Sequence, residues 1–266
     1  MTQKASIFAA ALLLVTALAR ADDKSRFNLF NPTPRDLMRE MSTDRPDVTE
    51  SAYTVDAGHF QVEMSLVEFS HDDEDVTTIA PTNLKVGLLN NVDLQFVLEP
   101  YVHSADAEGF GATQLRLKYN VIGNDKGDFA LAVMPFVQFP TADDDLGATD
   151  NYEGGIIVPA SLGLPNEWTI AAMLELDFLR DEADEGYGQS LVHTVSLSRP
   201  IAGELGGYVE YVGVANDDLG ADYVAEAGAG ITYGLNENVQ LDSAIYFGLS
   251  DEADDVRALV GISFRM

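Results

Sequence analysis

Residues 168–178 read WTIAAMLELDF. Trp168, Ile170, Ala172, Leu174, Leu176 and Phe178 share one parity, and Thr169, Ala171, Met173, Glu175 and Asp177 share the other. That is period 2, the pattern of a strand with one apolar face and one face that turns polar. The apolar face carries an aromatic at each end, ten residues apart. At about 3.3 Å per residue and a tilt near ~40°, these rings stand roughly 25 Å apart along a barrel axis, the height of the lipid-facing band of an outer-membrane barrel. A turn (Gly163 to Glu167) precedes the stretch and an acidic loop (Arg180 to Gly188) follows it. This unit recurs along the chain.

From Gly58 onward twelve strand candidates follow: 59–69, 77–88, 92–103, 111–121, 129–139, 153–162, 168–178, 189–198, 205–214, 223–233, 239–249 and 256–266. The pattern predicts an all-β fold, a twelve-stranded antiparallel transmembrane β-barrel built as an up-and-down meander, with both termini on the periplasmic side. Connections alternate in character. Leu89 to Asn91, Gly123 to Gly127, Gly163 to Asn166, Pro200 to Gly203 and Gly234 to Asn238 are short turn signals. His71 to Asp75, Asp106 to Glu108, Asp143 to Asp145, Asp181 to Glu185, Asp217-Asp218 and Asp251 to Asp255 are acidic. Short turns on one rim and charged loops on the other is the asymmetry of an outer-membrane barrel. Alternation alone does not decide which face meets lipid. Strand-end aromatics, this asymmetry and the final strand VRALVGISFRM, which alternates to the last residue, all favour lipid outside.

Three features resist the pattern. Pro81, Pro135 and Pro159 fall inside strands, where each removes a ladder hydrogen bond. His193 shares parity with Leu191, Val195 and Leu197, and EGGIIVPASL does not alternate.

Residues 1–21 read as a secretory signal: Lys4, the apolar run Ala5 to Ala19, then Ala19-Arg20-Ala21 as a cleavage site. The alternative is an uncleaved N-terminal anchor. Loss of Lys4 and Arg20 takes the formal charge from −29 to −31, which argues against nucleic acid as a partner. There is no Cys to staple the chain. Residues 58–266 form the barrel, and residues 22–57 precede it as a separate segment. Thr33-Pro34 before RDLMREM predicts two short helical turns. STDRPDVTES, Ser42 to Ser51, is either a solvated linker or a strap entering the barrel, with Arg35, Arg39 or Arg45 pairing with lumen carboxylates.

The inward parity holds Glu63, Lys85, Asp93, Glu99, Arg116, Lys118, Glu175, Asp177, Glu210, Glu226, Asp242 and Arg257. Such a ring is either a water-filled, weakly selective constriction or a paired network that fills the lumen. Acid exceeds base in it, which predicts preference for cations. No phosphate loop, nucleophile elbow or metal-spaced His cluster occurs, and no cofactor, metal site or catalytic residue is expected. His71 beside the acidic run is read as part of an exposed loop. The acidic loops either hold divalent cations with lipopolysaccharide or are simply solvated.

Ser42 to Glu63, STDRPDVTESAYTVDAGHFQVE, resembles the opening signature of the outer-membrane transporter family associated with phenol meta-pathway degradation. Phe27 to Met41, FNLFNPTPRDLMREM, resembles the family's lead-in, and the final strand resembles a barrel-assembly signal, with Met266 where an aromatic is usual. The resemblance implies an outer-membrane barrel that passes small molecules, including aromatic or hydrophobic ones, and carries over no binding residues. The expected function is passive diffusion of a small solute. The alternatives are a closed barrel acting as a surface interaction protein and a barrel lipid hydrolase. Expected partners are outer-membrane lipid and lipopolysaccharide, the solute, and the barrel-assembly machinery.

Overall fold

A computed structural model describes residues 24–146, 151–181, 186–216 and 223–266. The segment expected to be a secretory signal, residues 1–21, and most of the acidic runs after residues 181 and 216 lie outside the described residues. Twelve strands form one antiparallel meander: β1 (Phe60–His71), β2 (Asp75–Ile79 and Thr82–Leu89), β3 (Val92–Leu98 and Tyr101–His103), β4 (Glu108–Gly109 and Thr113–Ile122), β5 (Phe129–Phe139), β6 (Glu153–Leu164), β7 (Trp168–Asp181), β8 (Gly186–Ala202), β9 (Leu205–Asn216), β10 (Val224–Asn236), β11 (Val239–Gly248) and β12 (Val256–Arg265).

The sheet closes on itself. β12 pairs with β1 from Gln61–Arg265 to His71–Val256, and the backbone N–H of Met266 donates to the Phe60 carbonyl at 2.8 Å. Closure leaves no open edge in lipid, which is what a strand-built membrane protein requires. Of the short turns, Ala202 to Leu205 relies on Gly203 at φ +55°. At the β6–β7 turn Asn166 takes the left-handed region at φ 62°, a conformation that asparagine tolerates better than most residues.

The three prolines interrupt the ladders as their missing N–H groups require. Pro81 and Ala80 (φ 55°) divide β2, opposite a register shift between Ser65 and Val67 in β1. Beside Pro135 the β4–β5 ladder registers Arg116–Phe136 and Tyr119–Val133 and skips the positions between. Beside Pro159 the β5–β6 ladder likewise skips from Leu131–Ala160 to Met134–Ile157.

The faces are sorted with lipid outside. Leu174 is 56% exposed, whereas Asp177 on the same strand is 9% exposed; Leu117 is 41% exposed and its neighbour Lys118 1%. Glu63, Asp93, Glu210 and Asp242 are buried inward, while Leu84, Phe96, Val209 and Ile231 are exposed outward. β6 follows the same geometry despite its sequence. Ile156 points out, and Ile157 points in to pack with Met134 and Met173. The segment before β1 contains single 3-10 turns at Lys24–Arg26 and Arg35–Leu37. The expected second helical turn is absent because Met38 is already extended, with ψ 148°.

Candidate functional site: the strapped lumen

The chain from Arg39 to Ala57 dips into the barrel and returns to the same base. There the Arg39 backbone N–H donates to Asp56 Oδ2 at 3.0 Å. The Arg39 guanidinium spans Asn90, Thr54 and Asp125, and Lys24 and Arg265 stand 3.6 Å from the Asp56 carboxylate. Higher up, the Ser42 and Ser51 hydroxyls meet at 2.6 Å and the Ser51 N–H donates to Asp44 Oδ1 at 2.8 Å. These contacts close the loop into a compact tip.

The tip is bound to the wall on several sides. Lys118 Nζ donates to both Asp44 oxygens at 2.7 and 2.8 Å. Lys85 joins Asp44 to Glu63. Arg45 grips Asp242 through Nε and Nη2, the shortest contact being 2.7 Å, and donates from Nη1 to Ser65 Oγ at 2.6 Å. A Cβ at Gly261 would lie 2.1 Å from Arg45 Nη2, so this strand crossing leaves the room that the guanidinium occupies. Glu210 accepts from the N–H groups of Val48 and Thr49 at 2.9 and 2.7 Å, from Thr49 Oγ1 at 2.5 Å and from the Tyr246 hydroxyl at 2.6 Å. Arg116 Nη1 donates to Glu50 at 2.6 Å. Val48 packs between Tyr208, Val212 and Tyr246 on one side and Met134, Ile157 and Met173 on the other. Asn120 and Asp93 hold the returning arm through the Ala52 carbonyl and the Val55 N–H.

Of the twelve inward charges read from parity, Glu63, Lys85, Asp93, Arg116, Lys118, Glu210 and Asp242 touch the strap. Glu226 pairs with Arg257 at 2.6 Å, and Glu99 accepts from the Ala112 N–H at 3.3 Å. Glu175 and Asp177 stand beside one another on β7. Of the three arginines, Arg45 meets a wall carboxylate. Arg39 stays at the base with Asp56 and Asp125, and Arg35 lines a crevice with Glu237 and Asn238 outside the lumen. The chain enters the barrel only beyond Arg39, which explains the difference. Sequence reading missed the reverse pairing, in which Asp44 and Glu50 of the strap neutralise wall cations. It also missed Asp56 and Tyr246. The surplus of acid in STDRPDVTE, set against Lys85, Arg116 and Lys118 on β2 and β4, is the signal that could have found it.

Beside the strap, a cavity of about 470 Å³ runs along a wall of small residues, including Ser161, Thr169, Ala171, Ser198, Gly207 and Thr232 on β6 to β10. Asp47, Thr49 and Glu50 form its strap side.

The strap carboxylates differ electrostatically. Burial works against the charge of Asp44, but Lys118 and Lys85 outweigh it and hold this carboxyl well below its usual range. Burial, reinforced by Glu210, pushes Asp47 up to about 8. Burial and Asp44 push Glu50 up to about 8 against the pull of Arg116 and Lys118. A carboxyl whose pKa is raised on folding contributes stability that is complete below its ordinary value, near 4, and is lost as the pH rises through about 8. Asp44 contributes in the opposite sense, with its stabilisation present throughout the neutral range. Raising the pH from about 6 to about 9 therefore loosens the tip while Asp44 still anchors it. Hydrogen exchange followed by mass spectrometry, corrected for the intrinsic pH dependence of exchange, will show faster exchange in the tip at the higher pH. Unchanged protection there would contradict this assignment.

A closed meander with an apolar exterior, a charged interior and a loop crossing the lumen defines an outer-membrane β-barrel. The model of the family described as "Putative MetA-pathway of phenol degradation" matches residues 43–266, and the chain belongs to that family. Among solved structures, the COG4313 outer membrane channel from Pseudomonas putida F1 is similar at TM-score 0.60 and 13% identity, covering 85% of this chain and 100% of that one. The NanC porin is similar at TM-score 0.57 and 9% identity, covering 78% of this chain and 100% of that one. At these identities the likeness is one of fold. No curated protein matches the chain.

Proposed function

We propose that the protein is a channel through which small solutes diffuse passively across the outer membrane, passing between the strap and the small-residue wall of β6 to β10. The observation that carries this reading is the cavity beside the strap. Its wall presents Ser161, Thr169, Ser198, Gly207 and Thr232, with Glu167, Arg199 and Glu204 at the turn end, while Met173, Thr194 and Glu210 hold the strap tip to β7, β8 and β9. Acid outnumbers base among the lumen-facing wall residues, and in the strap Asp44 offsets Arg45, so cations are favoured over anions. The family's description makes small aromatic compounds candidates for the solute. In this reading residues 1–21 direct export, the final strand is read by the assembly machinery, and the acidic loops face lipopolysaccharide.

A second reading, a closed barrel acting as a surface protein, draws on Val48, which the strap places between two apolar clusters. An enzyme is the weaker reading. Among the described residues His59 contacts backbone carbonyls, His71 contacts Asp75, His103 contacts Glu108, and His193 contacts Tyr223, so none meets a serine. Planar-bilayer recording separates the first two. The channel reading predicts discrete conductance steps and, in a salt gradient, a reversal potential of the sign set by cation flow. Absence of any steps would remove it.

A further inference from the structure

The cavity beside the strap ends under the strap tip. Thr49 Oγ1 meets Thr194 Oγ1 at 2.6 Å, the Thr49 N–H donates to Glu210 at 2.7 Å, and the Glu50 N–H donates to Met173 Sδ at 3.5 Å. Thr169 and Ser198, which line the cavity, lie nearer the turn end of β7 and β8 than Met173 and Thr194 do. The tip therefore roofs a chamber of about 470 Å³ that opens beside Glu167, Arg199 and Glu204 at the turns. Small-molecule sites run from about 300 to 1,000 Å³, so the chamber suits a molecule of one ring. A solute that enters from the turn end stops below the tip until the tip yields.

Its wall carries hydroxyls with bonding capacity to spare. Thr169 is paired with Ser198 across β7 and β8, and Thr232 with Gly206 across β9 and β10. Gly206 has no side chain to cover Thr232, since a Cβ there would lie 2.7 Å from Thr232 Oγ1. Among the described residues the hydroxyls of Thr169, Ser198 and Thr232 have no hydrogen-bond partner. The charged groups around the chamber are engaged or neutral. Arg45 is taken up by Asp242 and Ser65. Burial, with Glu210 for Asp47 and Asp44 for Glu50, raises these two carboxyls to about 8, so they hold their protons at neutral pH. Arg199, at the mouth, lies over the Trp168 ring and donates to the Pro200 carbonyl. Tyr53 and Tyr208 add aromatic carbon to the lining.

A hydroxyl both donates and accepts. Paired positions on neighbouring strands stand about 5 Å apart, a spacing that one ring bearing several hydroxyls can span, with its carbons against the tyrosines. A ring with a single hydroxyl answers one wall group and displaces water from the others without replacing its bonds, which loses affinity. An ion gives up its hydration for uncharged partners, which costs more.

We propose that this chamber is a binding site for a neutral single-ring polyol, held below the strap tip by the hydroxyls of Thr169, Ser198 and Thr232. The inference rests on the channel reading and names the class of solute that the path retains. Rings with one hydroxyl pass through without being held.

The test is saturation-transfer NMR on the full-length protein in detergent micelles. Glucose is the neutral polyol, phenol the ring with one hydroxyl, and glucuronate and glucosamine the charged polyols. Glucose is expected to bind saturably, with the other three at least about threefold weaker. Thr169→Val and Ser198→Ala nearly keep the shape of the wall and remove one hydroxyl each. Each should weaken glucose by about three- to tenfold, and the double variant by more, while phenol binding and the folded band on unheated gels are unchanged. Phenol, glucuronate or glucosamine binding as tightly as glucose, or wild-type glucose binding by the double variant, would overturn the site. Bilayer recording of the same preparation keeps the two readings apart. Conductance without glucose binding removes the site alone. Binding without conductance removes the channel and leaves the site.

Discussion

Replacing Asp44 with alanine will free the strap tip and destabilise the protein by about 3–5 kcal/mol, the scale of breaking a buried ion pair. Asp44 is the only strap residue that meets both Lys85 and Lys118, and these lysines are 3% and 1% exposed. Without the carboxylate, Lys118 keeps only a distant Glu50 at 3.9 Å, and Lys85 keeps Glu63. The Ser51 N–H also loses its acceptor, so the neck of the loop opens. Asp44→Asn preserves the volume and one acceptor but not the charge, and its loss will be intermediate. Chemical unfolding in lipid vesicles reads the stability, and bilayer recording reads the strap: currents through Asp44→Ala should be larger and noisier. An unfolding midpoint and current equal to wild type would mean that the tip is held by something else.

Glu210→Ala is the second large effect. Four donors converge on this carboxylate: two strap N–H groups, the Thr49 hydroxyl and the Tyr246 hydroxyl. Each buried donor left unpaired costs about 1–3 kcal/mol, and because the four act as one network the expected total is at least about 3 kcal/mol. Glu210→Gln keeps a carbonyl acceptor and will lose less. The alanine variant carries a further signature. Glu210 helps raise the pKa of Asp47, so its removal returns Asp47 toward the usual carboxylate range. The pH-dependent loosening of the tip will then begin at lower pH. Glu210→Ala with wild-type stability and a wild-type pH profile would contradict the network.

The barrel was legible because its rule is local. Period 2 with alternating turn and acid placed all twelve strands; the breaks at Pro81 and Pro100 and the ladder gaps beside Pro135 and Pro159 were harder to place, because their effect depends on the neighbouring strand. β6 illustrates the limit. Ile156 and Ile157 look alike in sequence, yet one meets lipid and the other packs on Met173 inside. The inward charges were legible by the same parity. Their partners were not, because a strap has no period: nothing in the spacing of Asp44, Arg45 and Glu50 says which wall residue each will face. Sign alone offered Arg35, Arg39 or Arg45 as the partner of a lumen carboxylate; Arg45 meets Asp242, whereas Arg39 and Arg35 stay at the base. Where the chain enters the barrel decides those two, and that is set by contacts of Asp56 with Lys24, Arg39 and Arg265 from distant parts of the sequence.

In the channel reading, solute passes through the cavity between the strap and the small-residue wall of β6 to β10, while Asp44 and Arg45 close the strap against β1, β2, β4 and β11. The chain has no cysteine, so a single introduced thiol reports one place. Ser198 on β8 lines the cavity, whereas Ser263 on β12, between β1 and β11, is fully buried. A water-soluble cationic methanethiosulfonate should react with Ser198→Cys and depress the current through the channel, and should leave Ser263→Cys unmodified until the protein is unfolded. Block at Ser263→Cys with an unaffected current at Ser198→Cys would place the path on the other side of the strap and contradict the account.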